Sequence, residues 1–370
     1  MMIAMRSLVI GICLFFCSPV CAVCDSLFIE DDSVVGETTF MKRPLLDRIY
    51  QIVKKFSQVD SNYIERQHYN YTVMLQSTIS QESYELGAGK DQSIELSPDI
   101  SIKLGPYVGW RWVFLGYTLD LTHASDGHRK HDVAASFYSN QIGVDLFWRT
   151  MGSGYKIKKI RMGQNIDTSP LHNVLFNGFS SSVKGVNLYY IFNHKHFSYP
   201  AAFSQSTVQR RSCGSLLTGL SIMEHNIHFD NNEMARLLGQ YIGPVAVQIH
   251  DSILSPLKTH YTDISLSAGY AYNWVFARNW LLTGSLSAAV GYKRSAGTTL
   301  RERLSLPELT LENLNLDAIG RFALVYNNTR WYAGTNVVVH SYRYKKSQFS
   351  TKNVMSHMNV YVGMNFGKRR

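Results

Sequence analysis

The stretch YTDISLSAGYAYNWVFARNWLLTGSLSAAVGY, residues 261–292, decides how the chain is read. Ile264, Leu266, Ala268, Tyr270, Tyr272, Trp274 and Phe276 occupy every second position. Asp263, Ser265, Ser267, Gly269, Ala271 and Asn273 stand between them. Beyond Ala277-Arg278-Asn279 the alternation resumes, with Trp280, Leu282, Leu286, Ala288, Val290 and Tyr292 on one parity. Thr283, Ser285, Ser287, Gly291 and Lys293 take the other. Side chains of a strand point alternately to its two faces, so each run has one greasy face and one small, polar face. Strands of a soluble sandwich average about 5–6 residues. These runs approach the ~9–11 residues that a tilted strand needs to cross a bilayer. Tyr272, Trp274, Phe276 and Trp280 gather at the turn, as an interfacial girdle would. The stretch predicts a transmembrane β-hairpin.

The same period recurs along the chain. Tyr71, Val73, Leu75 and Ile79 open the series, followed by Ile100, Ile102, Leu104, Val108 and Trp110. Next come Val113 to Leu121, Ala134 to Trp148 and a weaker strand from Tyr155 to Arg161. Val186, Leu188, Tyr190 and Phe192 mark a sixth, and an irregular seventh covers Ala201 to Ile222. After the opening hairpin come Leu314–Tyr326, Trp331–Tyr342 and Val354–Phe366. These make an all-β, antiparallel barrel of twelve strands, an even number as in bacterial outer-membrane barrels. Short connections are expected near Arg111, Met151, His194, Arg278 and Asn328. Longer ones are expected over 80–98, 122–132, 162–182, 223–260, 294–312 and 343–353. That order places short turns and both termini in the periplasm. The last strand, with Phe366 near its end, is similar to the signal read by the barrel-insertion machinery, although Gly367-Lys368-Arg369-Arg370 follows it.

Residues 1–22 read as a signal peptide: Arg6, an apolar run from Leu8 to Phe16, and a Val20-Cys21-Ala22 cleavage site. Cys21 and Cys24 each follow a valine where lipidation would want a small residue, so a lipid anchor is disfavoured. Of five cysteines, Cys24 and Cys213 stand outside that segment and could pair in the periplasm. Residues 23–68 are expected to be a periplasmic segment with one amphipathic helix at about 42–59. Pro44 suits its first turn, and Leu45, Leu46, Ile49, Ile52, Val53 and Phe56 form its apolar stripe. Such a helix could plug the barrel, cap its periplasmic mouth, lie on the inner leaflet of the outer membrane, or pack on periplasmic turns. The barrel takes residues 69–370.

Composition agrees with this class. The mean hydropathy of −0.12 is modest, as it must be when only alternate residues meet lipid. The 22 Tyr, 18 Phe and 6 Trp suit interfacial belts. The net charge of +10 fits contact with anionic lipid phosphates, an anion-selective lumen, or simply charged loops. Nucleic acid is not an expected partner of an exported barrel; outer-membrane lipids and lipopolysaccharide are.

The segments GPYVGWRWVFLGYTLDL (105–121), SFYSNQIGVDLFWR (136–149) and YPAAFSQSTVQRRSCGSLL (199–217) resemble an uncharacterised family of Gram-negative proteins. It is catalogued as a domain of unknown function, looks like an outer-membrane barrel family, and is common in gut anaerobes. The resemblance covers roughly 60–370 and implies a barrel but no activity.

One constellation offers chemistry. Thr122-His123-Ala124-Ser125-Asp126-Gly127 is similar to the H-x-S-N-G pattern of outer-membrane phospholipase A and the H-x-S-N pattern of lipid A deacylases. Residues two apart share a strand face, so His123 could take the proton of Ser125 as it attacks an ester. Asp126 stands where those enzymes have Asn, and no third residue is evident. A short match of this kind also arises by chance. The main expectation is therefore a non-enzymatic outer-membrane barrel: a narrow channel, a small-molecule transporter or a structural envelope protein. The alternative is an outer-leaflet lipid hydrolase or lipid A deacylase using His123 and Ser125. No cofactor or metal is expected; His128 and His131 beside Asp126 and Asp132 read as solvated loop residues. Lys156, Lys158, Lys159 and Arg161 either meet lipopolysaccharide phosphates or form a solvated rim. Lys103, Asp120, Asp145, Arg149, Asp263, Asp317 and Arg321 face inward and should form lumenal ion pairs.

Overall fold

The computed structural model describes residues 58–88, 92–110, 113–116, 119–121, 130–151, 154–162, 166–244, 257–295, 314–346 and 349–368. In chain order the strands are β1 (Ile64–Arg66), β2 (Tyr69–Ala88), β3 (Gln92–Pro98), β4 (Ser101–Trp110), β5 (Val113–Gly116) and β6 (Leu119–Asp120). Then come β7 (Lys130–Tyr138), β8 (Ile142–Met151), β9 (Tyr155–Met162), β10 (Leu175–Phe176), β11 (Phe179–Ile191) and β12 (Thr207–Gln209). The last six are β13 (Cys213–Phe229), β14 (Leu257–Ala277), β15 (Trp280–Ser295), β16 (Leu314–Asn327), β17 (Trp331–Lys346) and β18 (Phe349–Lys368). Two short helices, α1 (Pro200–Phe203) and α2 (Asn231–Tyr241), complete the set with a single 3-10 turn at Ser169–Leu171.

All the strand pairs are antiparallel. The main wall runs β2-β18-β17-β16-β15-β14-β13-β11-β8-β7 without a break. On the other flank of β2, β4 pairs residues 71–80 and β3 pairs residues 84–88. β4 carries β5 and β6, while β3 turns away to pair β9, which pairs β10. Connections therefore alternate between two ends. The chain enters and leaves at a turn end, marked by 139–141, 278–279 and 328–330; the opposite, loop end carries β3, β9, β10 and α2.

The polarity of the sheet is inverted relative to a soluble protein. Leu266 and Leu286 are each 68% exposed and Leu316 is 64% exposed, all on one face. On the other face Asn273 and Thr283 are fully buried, and Asp263 and Asp317 are 1% and 2% exposed. Large aliphatics outside and satisfied polar groups inside suit a wall whose outer solvent is lipid. Strands far apart in the sheet meet across its inner face. Arg321 of β16 lies 2.9 Å from Asp145 of β8, and Arg149 of β8 lies 3.4 Å from His357 of β18. The sheet is thus rolled around its polar side.

Five expectations need correction. Residues 134–148 are two strands, because Ser139 makes a turn: its Oγ accepts from the backbone N–H groups of Ile142 (2.9 Å) and Gln141 (3.3 Å). The three residues 139–141 leave Tyr138 and Ile142 on the same parity, which hides the turn. Tyr155–Arg161 is a strand, but it pairs β3 at the loop end and does not follow β8 in the wall. The connection at Met151 accordingly lies at the loop end. Residues 201–212 are not strand continuing into β13; they belong to an inserted segment, and the connection near His194 is long. The expected loop at 343–353 is a tight hairpin, with β17 and β18 paired out to Lys346 and Phe349.

The signal-peptide and helix expectations over 1–57 fall outside the described residues; Gln58 and Val59, the end of the expected helix, are not helical. Among the described residues no helix is long and apolar enough to cross a membrane.

Candidate functional site

The inner face is occupied by the chain itself at both ends. At the turn end the segment 192–212, between β11 and β13, folds inward. Phe197, Ser198, Tyr199 and Ala202 are fully buried. Pro200 opens α1, where its missing N–H costs nothing. Ala201 and Ala202 pack on Leu281, Ala323 and Val325 of the wall, and Phe197 and Tyr199 on Tyr189, Leu217 and Ala271. The wall positions under this plug are small (Ala271, Ser285, Ala323), which makes room for it.

Hydrogen bonds fix the plug to polar wall residues. The Tyr199 hydroxyl donates to Ser285 Oγ at 3.1 Å and accepts from Arg321 at 3.2 Å. Asn273 Nδ2 donates to the Ser198 carbonyl (2.9 Å) and to Gln209 Oε1 (3.0 Å). Gln209 Oε1 also accepts from the Ser198 N–H (2.8 Å), while its Nε2 donates to the His196 (2.6 Å) and Arg211 (2.9 Å) carbonyls. Gln205, at φ 53, donates to the Tyr361 hydroxyl at 2.6 Å. From outside, β1 pairs β12 over Ile64–Arg66, Glu65 binds Arg210, and Tyr63 meets His196 edge-on at 4.6 Å. The Asn62 backbone N–H, with weaker help from the Asn62 amide, His196 and Arg211, holds the Asp60 carboxyl below its ordinary range.

The loop end is closed by different material. Leu96, Ile157, Leu171, Phe176, Met234 and Leu238 form one apolar core with the upper inner face of the wall. Its seam to the wall is Tyr155, whose hydroxyl donates to Glu82 Oε1 at 2.5 Å and lies 2.7 Å from Ser181 Oγ. The Tyr155 ring stands edge-on to Phe179 at 4.6 Å. α2 is capped by Asp230, which accepts from the Asn232 N–H at 2.9 Å. Hydrogen bonds from Arg236 hold Glu233 below the usual carboxylate range.

Between plug and lid the inner face is polar. Asp145 pairs with Arg321, as expected. Arg149 reaches His357, which also meets Ser80 at 3.0 Å. Gln76, Thr78, Asn336 and Asn359 form an amide–hydroxyl chain with links of 2.8–3.1 Å. Lys103 stands opposite Asp120 in the β4–β6 register. Asp263 and Asp317 converge on Gly291. A Cβ there would lie 2.6 Å from Asp263 Oδ1 and 3.2 Å from Asp317 Oδ2, so a side chain at 291 would displace the Asp263 carboxylate.

His123 and Ser125 lie outside the described residues, as do His128 and Cys24. Of His131 and Asp132 only the backbone is described, in β7. Among the described residues no group of His, Cys, Asp or Glu could hold a metal ion, and Cys213 is a free thiol. Three of the four basic residues of β9 have protein partners: Lys156 with Asp99 (2.7 Å), Lys158 with Asn173 (2.7 Å) and Arg161 with Glu85 (3.0 Å). The plug was missed because Pro200 falls just before the expected strand at Ala201–Ile222, where proline is tolerated.

The model of the family described as a domain of unknown function, DUF4421, matches residues 58–366. This chain belongs to that family. No curated protein matches it. Among solved structures it is similar to the outer membrane protease OmpT from Escherichia coli, at 8% identity and a TM-score of 0.30, over 82% of this chain and 98% of that one. The translocator domain of autotransporter NalP from Neisseria meningitidis gives 9% and 0.31, over 87% and 95%. OprG from Pseudomonas aeruginosa gives 7% and 0.24, over 82% and 99%. Likeness at this level transfers no activity to this member of DUF4421.

Proposed function

We propose that this DUF4421 protein is a closed outer-membrane β-barrel that blocks free diffusion through its own lumen. It serves the envelope as a non-enzymatic structural or narrowly gated barrel. The observation that carries this is the double occupancy of the inner face, by a polar plug at one end and an apolar lid at the other. A barrel of about this strand number encloses little space, and interior side chains fill much of it. In this reading the β4–β5–β6 edge pairs with β7 to close the wall. The wall then has twelve strands, counting β5 and β6 as one: β2, β4, β5–β6, β7, β8, β11 and β13 to β18. The turn end, with both ends of the wall, faces the periplasm. The inverted polarity of the sheet and the leader-like residues 1–22 support that placement.

The first test is biochemical. Protein refolded in detergent should be β-rich by circular dichroism and migrate differently on gels before and after boiling. A monomer that stays soluble and folded without detergent would refute the barrel.

A further inference from the structure

The two ends of the wall differ in how their charges are matched. At the loop end the pairs are internal: Lys156–Asp99, Arg161–Glu85, Lys184–Glu224 and Arg236–Glu233 all lie within 3.0 Å. At the turn end, Lys195, Arg211, Arg278, Arg330 and Lys368 are all exposed. The described carboxylates there are Asp60 and Glu65, and Glu65 is engaged by Arg210 and His68. This end is therefore electropositive.

Three of these cations stand at turns or a strand end within two residues of an exposed aromatic of the outer belt: Arg278 of Phe276, Arg330 of Trp331 and Lys368 of Phe366. On β14 the outer face descends through Tyr270, Tyr272, Trp274 and Phe276 to Arg278 in the turn. On β18 it descends through Val360, Val362 and Phe366 to Lys368, with Phe366 stacked on Tyr71 at 5.5 Å. Arg330 immediately precedes Trp331, which is 50% exposed. Trp274–Phe276 at 5.5 Å, Phe276–Trp280 at 6.1 Å and Trp280–Tyr326 at 5.3 Å continue the ring. Aliphatic, then aromatic, then cationic is the order of chain, interface and phosphate in a lipid leaflet.

We propose that the turn-end rim selects anionic phospholipid headgroups, with Arg278, Arg330 and Lys368 contacting their phosphates beneath the aromatic girdle. The inference rests on the membrane-barrel reading and adds which leaflet chemistry the rim prefers. A soluble polyanion is the lesser fit, because each of these exposed cations lies within two residues of an exposed aromatic, Phe276, Trp331 or Phe366. Each rim cation near an anionic surface contributes roughly fivefold in affinity; three at full strength would give about a hundredfold, and salt screening of exposed charges brings the expected preference to about tenfold.

The test uses full-length protein in phosphatidylcholine vesicles carrying brominated phosphatidylglycerol or brominated phosphatidylcholine, read by tryptophan quenching. Trp274, Trp280 and Trp331 lie at the rim and report binding there. Wild type should be quenched at about tenfold lower mole fraction of the anionic lipid, and 1 M salt should abolish the difference. Arg278→Gln, Arg330→Gln and Lys368→Gln together should remove the preference. Lys158→Gln, Lys159→Gln and Lys352→Gln, the same charge loss at the loop end, should keep it. Equal quenching by both lipids in wild type would overturn the proposal. So would a preference that survives in the rim variant or vanishes in the loop-end control, or one that soluble polyglutamate removes in wild type. Absence of quenching by either lipid, with native circular dichroism, would instead refute the barrel reading itself.

Discussion

The plug and the lid cover the inner face of the same sheet by opposite means. The plug is polar at its contacts: Gln209, Asn273, Tyr199 and Gln205 tie it to the wall through directed hydrogen bonds, with small residues filling the gaps. The lid is an apolar core, built from side chains such as Leu96, Phe176 and Leu238 that are almost fully buried. A hydrogen-bonded seal depends on geometry and fails when one partner is removed, because the other is left buried without water. An apolar seal fails through lost volume, and its cost scales with the cavity left behind. The plug is also tied down from outside by β1, whereas the lid grows out of the wall through β2 and β3.

That contrast can be broken from either side. The largest effect is expected in the lid: Phe176→Ala should cost about 3–5 kcal/mol. It should expose the 155–176 region to protease while leaving hydrogen exchange in the plug unchanged. Unchanged resistance at the lid would mean that the apolar cluster is not what seals it. Next comes Gln209→Ala, which orphans the Ser198 N–H and loosens the Asn273 amide. It should cost about 1–3 kcal/mol, lowering exchange protection over 197–209 and sparing the lid. Asp230→Ala removes the cap of α2 and should cost about 1 kcal/mol, seen as fraying of that helix alone.

The smallest effect is one of pH. The Asp60 carboxyl titrates below its ordinary 3.8 in the folded state. Its contribution to the outer strap is therefore complete above 3.8 and lost as pH falls through the lower folded value. Exchange protection of β1 should fall in acid while that of the lid core stays constant; matched losses would deny the strap its ionic character.

The wall was legible in the sequence because, among the described residues, its outer face is exposed row by row. Leu266, Leu286 and Leu316 alternate with Ser265, Ser285 and Asp317, and nothing competes with that period. Period two says that one face is buried but not against what, so β9, with Tyr155 and Ile157 inward, read as another wall strand. The turn at 139–141 disappeared because it preserves parity. The inward charges were foreseen, and Asp145–Arg321 is one such pair, but their closeness depends on the roll of the sheet. Neither seal was visible, since each exists only through contacts between segments distant in the chain, such as Tyr199 with Ser285 and Phe176 with Phe229.

Plug and lid act as two independent seals in series. Planar-bilayer recording tests this on four proteins: wild type, a plug deletion of residues 197–206 replaced by a short glycine–serine linker, a lid deletion of 155–176 treated likewise, and the double deletion. Heat-modifiable migration must first establish that each has folded. Wild type and either single deletion should pass no steady current, and the double deletion should show a steady conductance. A large, steady conductance from wild type, or from the plug deletion alone, would contradict this.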